Sequence, residues 1–148
     1  MEFELEDQFR RTWTHEDYAD RVVLAIATGK KSSDLAFEWG EAIAAAFPQQ
    51  LDSGDVAVLA VASLRGVPKF LRGVVVGRFP EREDRWVLMD WKGAFARQYG
   101  LDTDIASLLL FDQAGLLVSS FPTESVNEFQ LAILQAQIDE LVAASPRP

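Results

Sequence analysis

Cysteine is absent from the 148 residues, and its absence removes more chemistry than any motif in the chain adds. Without a thiol there is no disulfide, no thiolate zinc site, no iron–sulfur ligation and no cysteine-based redox cycle. Histidine occurs once, at His15, which excludes a multi-histidine metal site. No metal and no cofactor is implied. Positive charge is scarce as well: 14 Lys and Arg stand against 23 Asp and Glu, for a formal net charge of −9. That balance, with no long Lys/Arg run, argues against nucleic acid, whose binders concentrate positive charge to displace counterions. No uninterrupted apolar run approaches the ~20 residues that span a bilayer, so membrane insertion is not expected. The opening MEFELEDQF is acidic and lacks a basic-then-apolar leader pattern, so a cytoplasmic location is expected.

What remains is an ordinary globular composition, 49% hydrophobic and 25% charged, long enough for one domain over residues 1–148 with a core that needs no covalent staples. EFELEDQF alternates Phe3 and Leu5 with acids, as a short edge strand or hairpin arm does. THEDYADR reads as a helical turn capped by Thr14. The continuous apolar runs Val22–Ala27 and Val56–Ala62 are strands buried on both faces. Between them Leu35, Trp39, Ile43 and Phe47 recur every four residues, the stripe of an amphipathic helix over 34–47 that Ser32 or Ser33 can cap and Pro48 stops.

Pro68 opens a segment in which Phe70, Leu71, Val74 and Val75 share a side, although Gly73 and Gly77 weaken it as a helix. WVLMD, Trp86 to Asp90, is a third strand. Asp90 can cap the short helix that follows, where Phe95 packs on Tyr99. SLLLFDQAGLLVSSF is a hairpin turning on Gly115. The closing helix spans 126–142, capped by Ser125 with Glu128 and making apolar contact through Phe129, Ile133, Leu134, Ile138 and Leu141. The tail, residues 143–148, frays. Strand–helix–strand alternation followed by a hairpin and a helix implies an α/β sandwich with parallel first strands.

This order of elements resembles the thioredoxin-like superfamily, in particular its redoxin branch of peroxiredoxins and thiol–disulfide oxidoreductases. The resemblance rests on FELEDQF, VVLAIAT, an inserted unit around Pro68–Phe79, LMDWKGAFARQYGL and IASLLLFDQAGLLV, and covers nearly the whole chain. It implies a three-layer sandwich, a mixed central sheet flanked by helices, with a redoxin-type insertion. It also implies what is missing. Laid on the family's pattern, Lys30 and Ser33 stand at the two cysteine positions, and Ala106, after Ile105, stands where the family has a cis-proline. Alanine in cis would cost roughly 3–4 kcal/mol, with no disulfide substrate left to justify it. A trans Ile105–Ala106 bond is therefore expected, with the Asp102–Ala106 loop rerouted and the groove reshaped or partly filled.

The TGKKSS loop supports a second reading. Lys30, Lys31, Ser32 and Ser33 at a helix N-terminus can attract phosphate or carboxylate, against the plainer role of a solvated cap. The string is no phosphate-binding P-loop, because Leu24 stands where that motif needs glycine. A hydrolytic serine would need a base, and neither a second histidine nor a Gly-x-Ser-x-Gly elbow exists. His15 itself is expected to be exposed in its helical first turn and is given no function. Trp91 is a candidate partner anchor, or else folds over the sheet edge. The sequence thus points to a non-redox, non-catalytic interaction module, binding a protein partner or a second copy through Lys30, Ser33, Ile105 and Ala106. The alternative is a small-molecule or anion-binding protein, or a cofactor-free enzyme, using the Lys30–Ser33 loop.

Overall fold

The fold was obtained as a computed structural model, and the structure describes residues 1–144. Seven strands form one mixed sheet: β1 (Glu4–Glu6), β2 (Thr12–Thr14), β3 (Val22–Thr28), β4 (Val56–Ser63), β5 (Leu88–Asp90), β6 (Ala106–Phe111) and β7 (Leu117–Thr123). Their order across the sheet is β2-β1-β5-β4-β3-β6-β7. As the apolar runs predict, β3 and β4 are parallel neighbours, and β6 runs antiparallel to β3. The hairpin β6–β7 turns on Gly115, whose φ of 81° suits glycine. Every residue of β3 is buried because the two faces of this central strand serve different cores. Val23, Ala25 and Ala27 meet Phe3, Tyr18 and Phe95 on one side. Val22, Leu24 and Ile26 meet Trp39, Ile43, Leu134 and Ile138 on the other.

Helices α1 (Asp34–Ala46) and α5 (Glu128–Ala143) cover that second face. The four-residue stripe of α1 holds, and the Trp39 indole, fully buried, donates to the Thr123 hydroxyl at 3.2 Å. Pro48 does not only stop α1; it starts α2 (Pro48–Ser53), fitting the first helical turn where no N–H is needed. The inserted segment forms a 3₁₀ turn (Lys69–Leu71) and α3 (Arg72–Val76), after which α4 (Ala94–Gln98) follows β5. Phe95 and Tyr99 pack at 5.1 Å between ring centroids, as expected.

Several local expectations need correction. The N-cap of α5 is Asn127, whose side chain accepts from the Gln130 N–H at 2.8 Å, so the helix begins two residues later than 126 and Ser125 lies outside it. Within α5, Phe129 is 76% exposed and Ile133 is also exposed; only Leu134 and Ile138 reach full burial. The third strand is limited to Leu88–Asp90, because Trp86 turns to stack on Trp13 at 4.9 Å and 3°. His15 is half-buried rather than exposed, its Nδ1 3.2 Å from the Phe3 N–H. Of the expected fraying over 143–148, Ala143 is still helical, and 145–148 lie outside the described residues.

Candidate functional site

The loop from Gly29 to Ser33 leaves the end of β3 and enters α1. Neither serine caps the helix. Ser33 occupies the N-cap position in helical geometry without a side-chain bond, and the Ser32 hydroxyl turns back to accept from the Gly29 N–H at 3.0 Å. A hydroxyl committed to its own loop, with His15 held in the β1–β2 hairpin region by Phe3, gives no nucleophile–base pair.

Opposite this loop, all peptide bonds among the described residues are trans, Ile105–Ala106 included. The Asp102–Ala106 loop makes a close backbone contact here. A Cβ placed on Gly29 would sit 1.8 Å from the Thr103 carbonyl oxygen, so the loop leans directly on the Gly29 backbone. An Asx turn holds it there, Asp102 Oδ1 accepting from the Asp104 N–H at 2.9 Å. The Ile105 N–H is engaged with the Asp102 carbonyl at 3.4 Å. The main-chain donor before Ala106 is therefore used within the loop. Ala106 is fully buried as the first residue of β6.

The structure divides the residues singled out in the sequence between two recesses on either side of α1. Lys31 and Ser32 line a groove of about 230 Å³ with Asp104, Ile105, Ala106 and Glu124. Lys30 and Ser33 line a larger cleft of about 400 Å³, between α1 and the inserted segment. Because the two lysines face different recesses, they do not converge on one small anion. Trp91 belongs to neither; it is half-buried against the core under the insertion, with the Arg72 guanidinium 4.8 Å above its ring. Of its two readings, folding back over the sheet is the one observed.

Sequence reasoning missed the larger cleft. Its floor is the end of β4, the turn after it and Val87 just before β5, and its far wall is the insertion. Phe37, two residues from the nearest members of the α1 stripe, forms part of the near wall. At its edge Val74 is 55% exposed and Leu71 is also exposed, while Phe70, 82% exposed, lies outside its lining. The sequence placed Phe70, Leu71, Val74 and Val75 on one side; the structure brings only Leu71, Val74 and Val75 to this cleft, and Val75 alone of the four packs toward the core. Beneath the other flank, Asp90 is buried, Oδ2 accepting from the Ala96 N–H at 3.2 Å while Oδ1 has no hydrogen-bond partner. Its first-turn capping role was legible in the sequence. Asp112 likewise closes a turn, accepting from Ala114 and Leu116 at 2.9 Å each.

No known family profile matches the chain, and no curated protein matches it in sequence. Solved structures do match in shape. The exposed lipoprotein thioredoxin of Streptococcus pneumoniae superposes with a TM-score of 0.71 at 19% identity, over 95% of this chain and 100% of that one. The fold is thioredoxin-like. Peroxiredoxin Q of Xanthomonas campestris gives a TM-score of 0.63 at 15% identity, covering 97% of this chain and 92% of its own. A secreted disulfide oxidoreductase of Mycobacterium tuberculosis gives 0.61 at 12% identity, covering 95% and 96%. This thioredoxin-like chain has no cysteine. No helix among the described residues is long and apolar enough to cross a membrane.

Proposed function

We propose that this chain is a non-redox, thioredoxin-like binding module that docks a protein partner, or a second copy of itself, on the surface around the N-terminus of α1. The observation that carries this reading is a run of exposed apolar side chains in the inserted segment: Leu71 and Val74 border the larger cleft, and Phe70, next to Leu71 in the chain, is exposed outside it. Apolar side chains grouped on a protein's exterior mark interaction surfaces, and a large aromatic at such a place is a typical anchor. The smaller groove contributes charge: Asp34, Asp104 and Glu124 outnumber Lys31 there, which favours a basic partner segment. With the Ile105 N–H already engaged, recognition rests on side chains rather than on strand addition.

The test is site-specific photo-crosslinking. A benzoylphenylalanine at position 70 should give one discrete, saturable adduct in native extract, abolished by Val74→Glu. The same probe at Asp139, on the exposed side of α5, should give none. Equal labelling from both positions, or an adduct indifferent to Val74→Glu, would contradict the docking surface. An adduct at twice the chain's mass identifies the partner as a second copy.

A further inference from the structure

The larger cleft has a composition that its rim does not explain, and we infer that it is a binding site for a small amphipathic carboxylate, a medium-chain carboxylic acid in its ionised form. Ala62, Leu64 and Val87 form an apolar floor, with Phe37 on one wall and Val75 and Phe79 on the other. At about 400 Å³ the cavity falls in the range of small-molecule sites, roughly 300–1,000 Å³. Its polar lining is concentrated in few groups. Lys30 comes from the loop before α1 and Arg78 from the end of the insertion. Neither side chain has an ion pair or hydrogen bond among the described residues. Asp34 lines the same cleft, so these three ionisable groups leave one net positive charge in a chain whose total is −9. An apolar cavity with one net positive charge suits a monoanion with an apolar tail. A carboxylate matches a guanidinium fork in plane, with lysine as a second donor. A fully apolar ligand would leave both cations unpaired, and a dianion would exceed the local charge.

Leu71 and Val74 border the cleft, but Phe70 lies outside its lining, so a change at Phe70 separates this assignment from partner binding. The test is titration of the full chain with decanoate, below its micelle concentration, followed by calorimetry and by amide chemical shifts. Saturable one-to-one binding is expected, with shifts centred on Phe37, Val75 and Phe79. Lys30→Gln combined with Arg78→Gln should weaken it by about tenfold or more, and decanol should bind the unmodified chain correspondingly worse. Val75→Trp should fill the cavity and abolish binding while circular dichroism confirms that the fold persists. If that variant unfolds, Phe79→Trp replaces it. Phe70→Ser, which removes the docking anchor, should leave decanoate binding unchanged. Three results would overturn the assignment: no saturable binding, equal affinity for decanol and decanoate, or unaltered affinity in a folded cavity-filled variant.

Discussion

Two ends of the same sheet are built on opposite terms. At the β1–β2 corner, Asp7 is 0% exposed and fully committed. Its carboxylate accepts from the Phe9 and Arg11 amides at 2.7 and 3.1 Å, from Arg11 Nε at 2.6 Å and from the Trp13 indole at 2.9 Å. Beside it the buried Gln8 amide ties the hairpin to distant chain, donating to the Pro80 and Arg85 carbonyls at 3.2 and 2.9 Å and accepting from the Val87 N–H at 2.8 Å. At the α1 N-terminus and the insertion the opposite holds: Lys30 and Arg78 have no partner among the described residues, and Phe70 and Val74 face solvent. Buried polar groups are satisfied where the task is to hold the fold. Places that break the local rules are where a protein meets something else. The corner is closed on itself, and the cleft leaves charged and apolar side chains without partners among the described residues.

The comparison is broken most severely at Asp7. Asp7→Ala should cost about 3–5 kcal/mol in denaturant unfolding, because Arg11 and the Trp13 indole lose a shared buried acceptor. A loss under 1 kcal/mol would mean that the corner is not structural. Gly29→Ala comes next, at about 1–3 kcal/mol. Its Cβ would lie 1.8 Å from the Thr103 carbonyl oxygen, backbone against backbone, so the Asp102–Ala106 loop must move. Amide shifts of Asp104 and Ile105 report that movement directly, and an unchanged loop would refute the contact.

A pH series sharpens the contrast. Burial opposes the Asp7 charge, but donation from the Trp13 indole, Arg11 and the Phe9 amide outweighs it, so the carboxyl is held below its ordinary 3.8. A depressed folded value adds stability that is present above 3.8 and lost as pH falls through the lower folded value. The stability gap between the unmodified chain and Asp7→Asn should therefore be constant near neutrality and narrow in acid below that point. A gap that narrows on raising the pH instead would contradict the assignment. The smallest effect belongs to the cleft mouth. Lys30→Gln and Arg78→Gln should each leave stability within about 0.5 kcal/mol.

The central architecture was legible because it is written locally. Seven consecutive buried residues in β3, the four-residue stripe of α1 and the Asp112–Gly115 turn each announce themselves within a few positions. The loss of thiol chemistry was equally legible, since it needs only the absence of cysteine. What escaped was set by non-local partners. Gln8 bonds to residues 72, 77 and 79 positions away, and no periodicity encodes that. Nothing local marks Gly29; its requirement comes from Thr103 across the sheet end. Phe129 and Ile133 fit a helical stripe, but α5 rotates only Leu134 and Ile138 fully into the core. Asn127 displaced Ser125 as the cap because Gln130 links it to β7, donating from its side-chain amide to the Pro122 carbonyl at 2.9 Å. At the α1 N-terminus, the spatial grouping of the loop residues was not legible. Consecutive lysines looked like one anion site, and the helix between the two recesses separates them.

One paired measurement bears most directly on whether the insertion's apolar rim serves binding rather than folding. The double variant Phe70→Ser with Val74→Ser should be unfolded by denaturant alongside the unmodified chain, and both should be photo-crosslinked in native extract from a probe at Leu71. The account predicts unfolding free energies within about 1 kcal/mol of each other, as for exposed positions, and loss of the adduct in the variant. A variant that loses several kcal/mol yet keeps its adduct would place these side chains in the core's service and remove the docking surface.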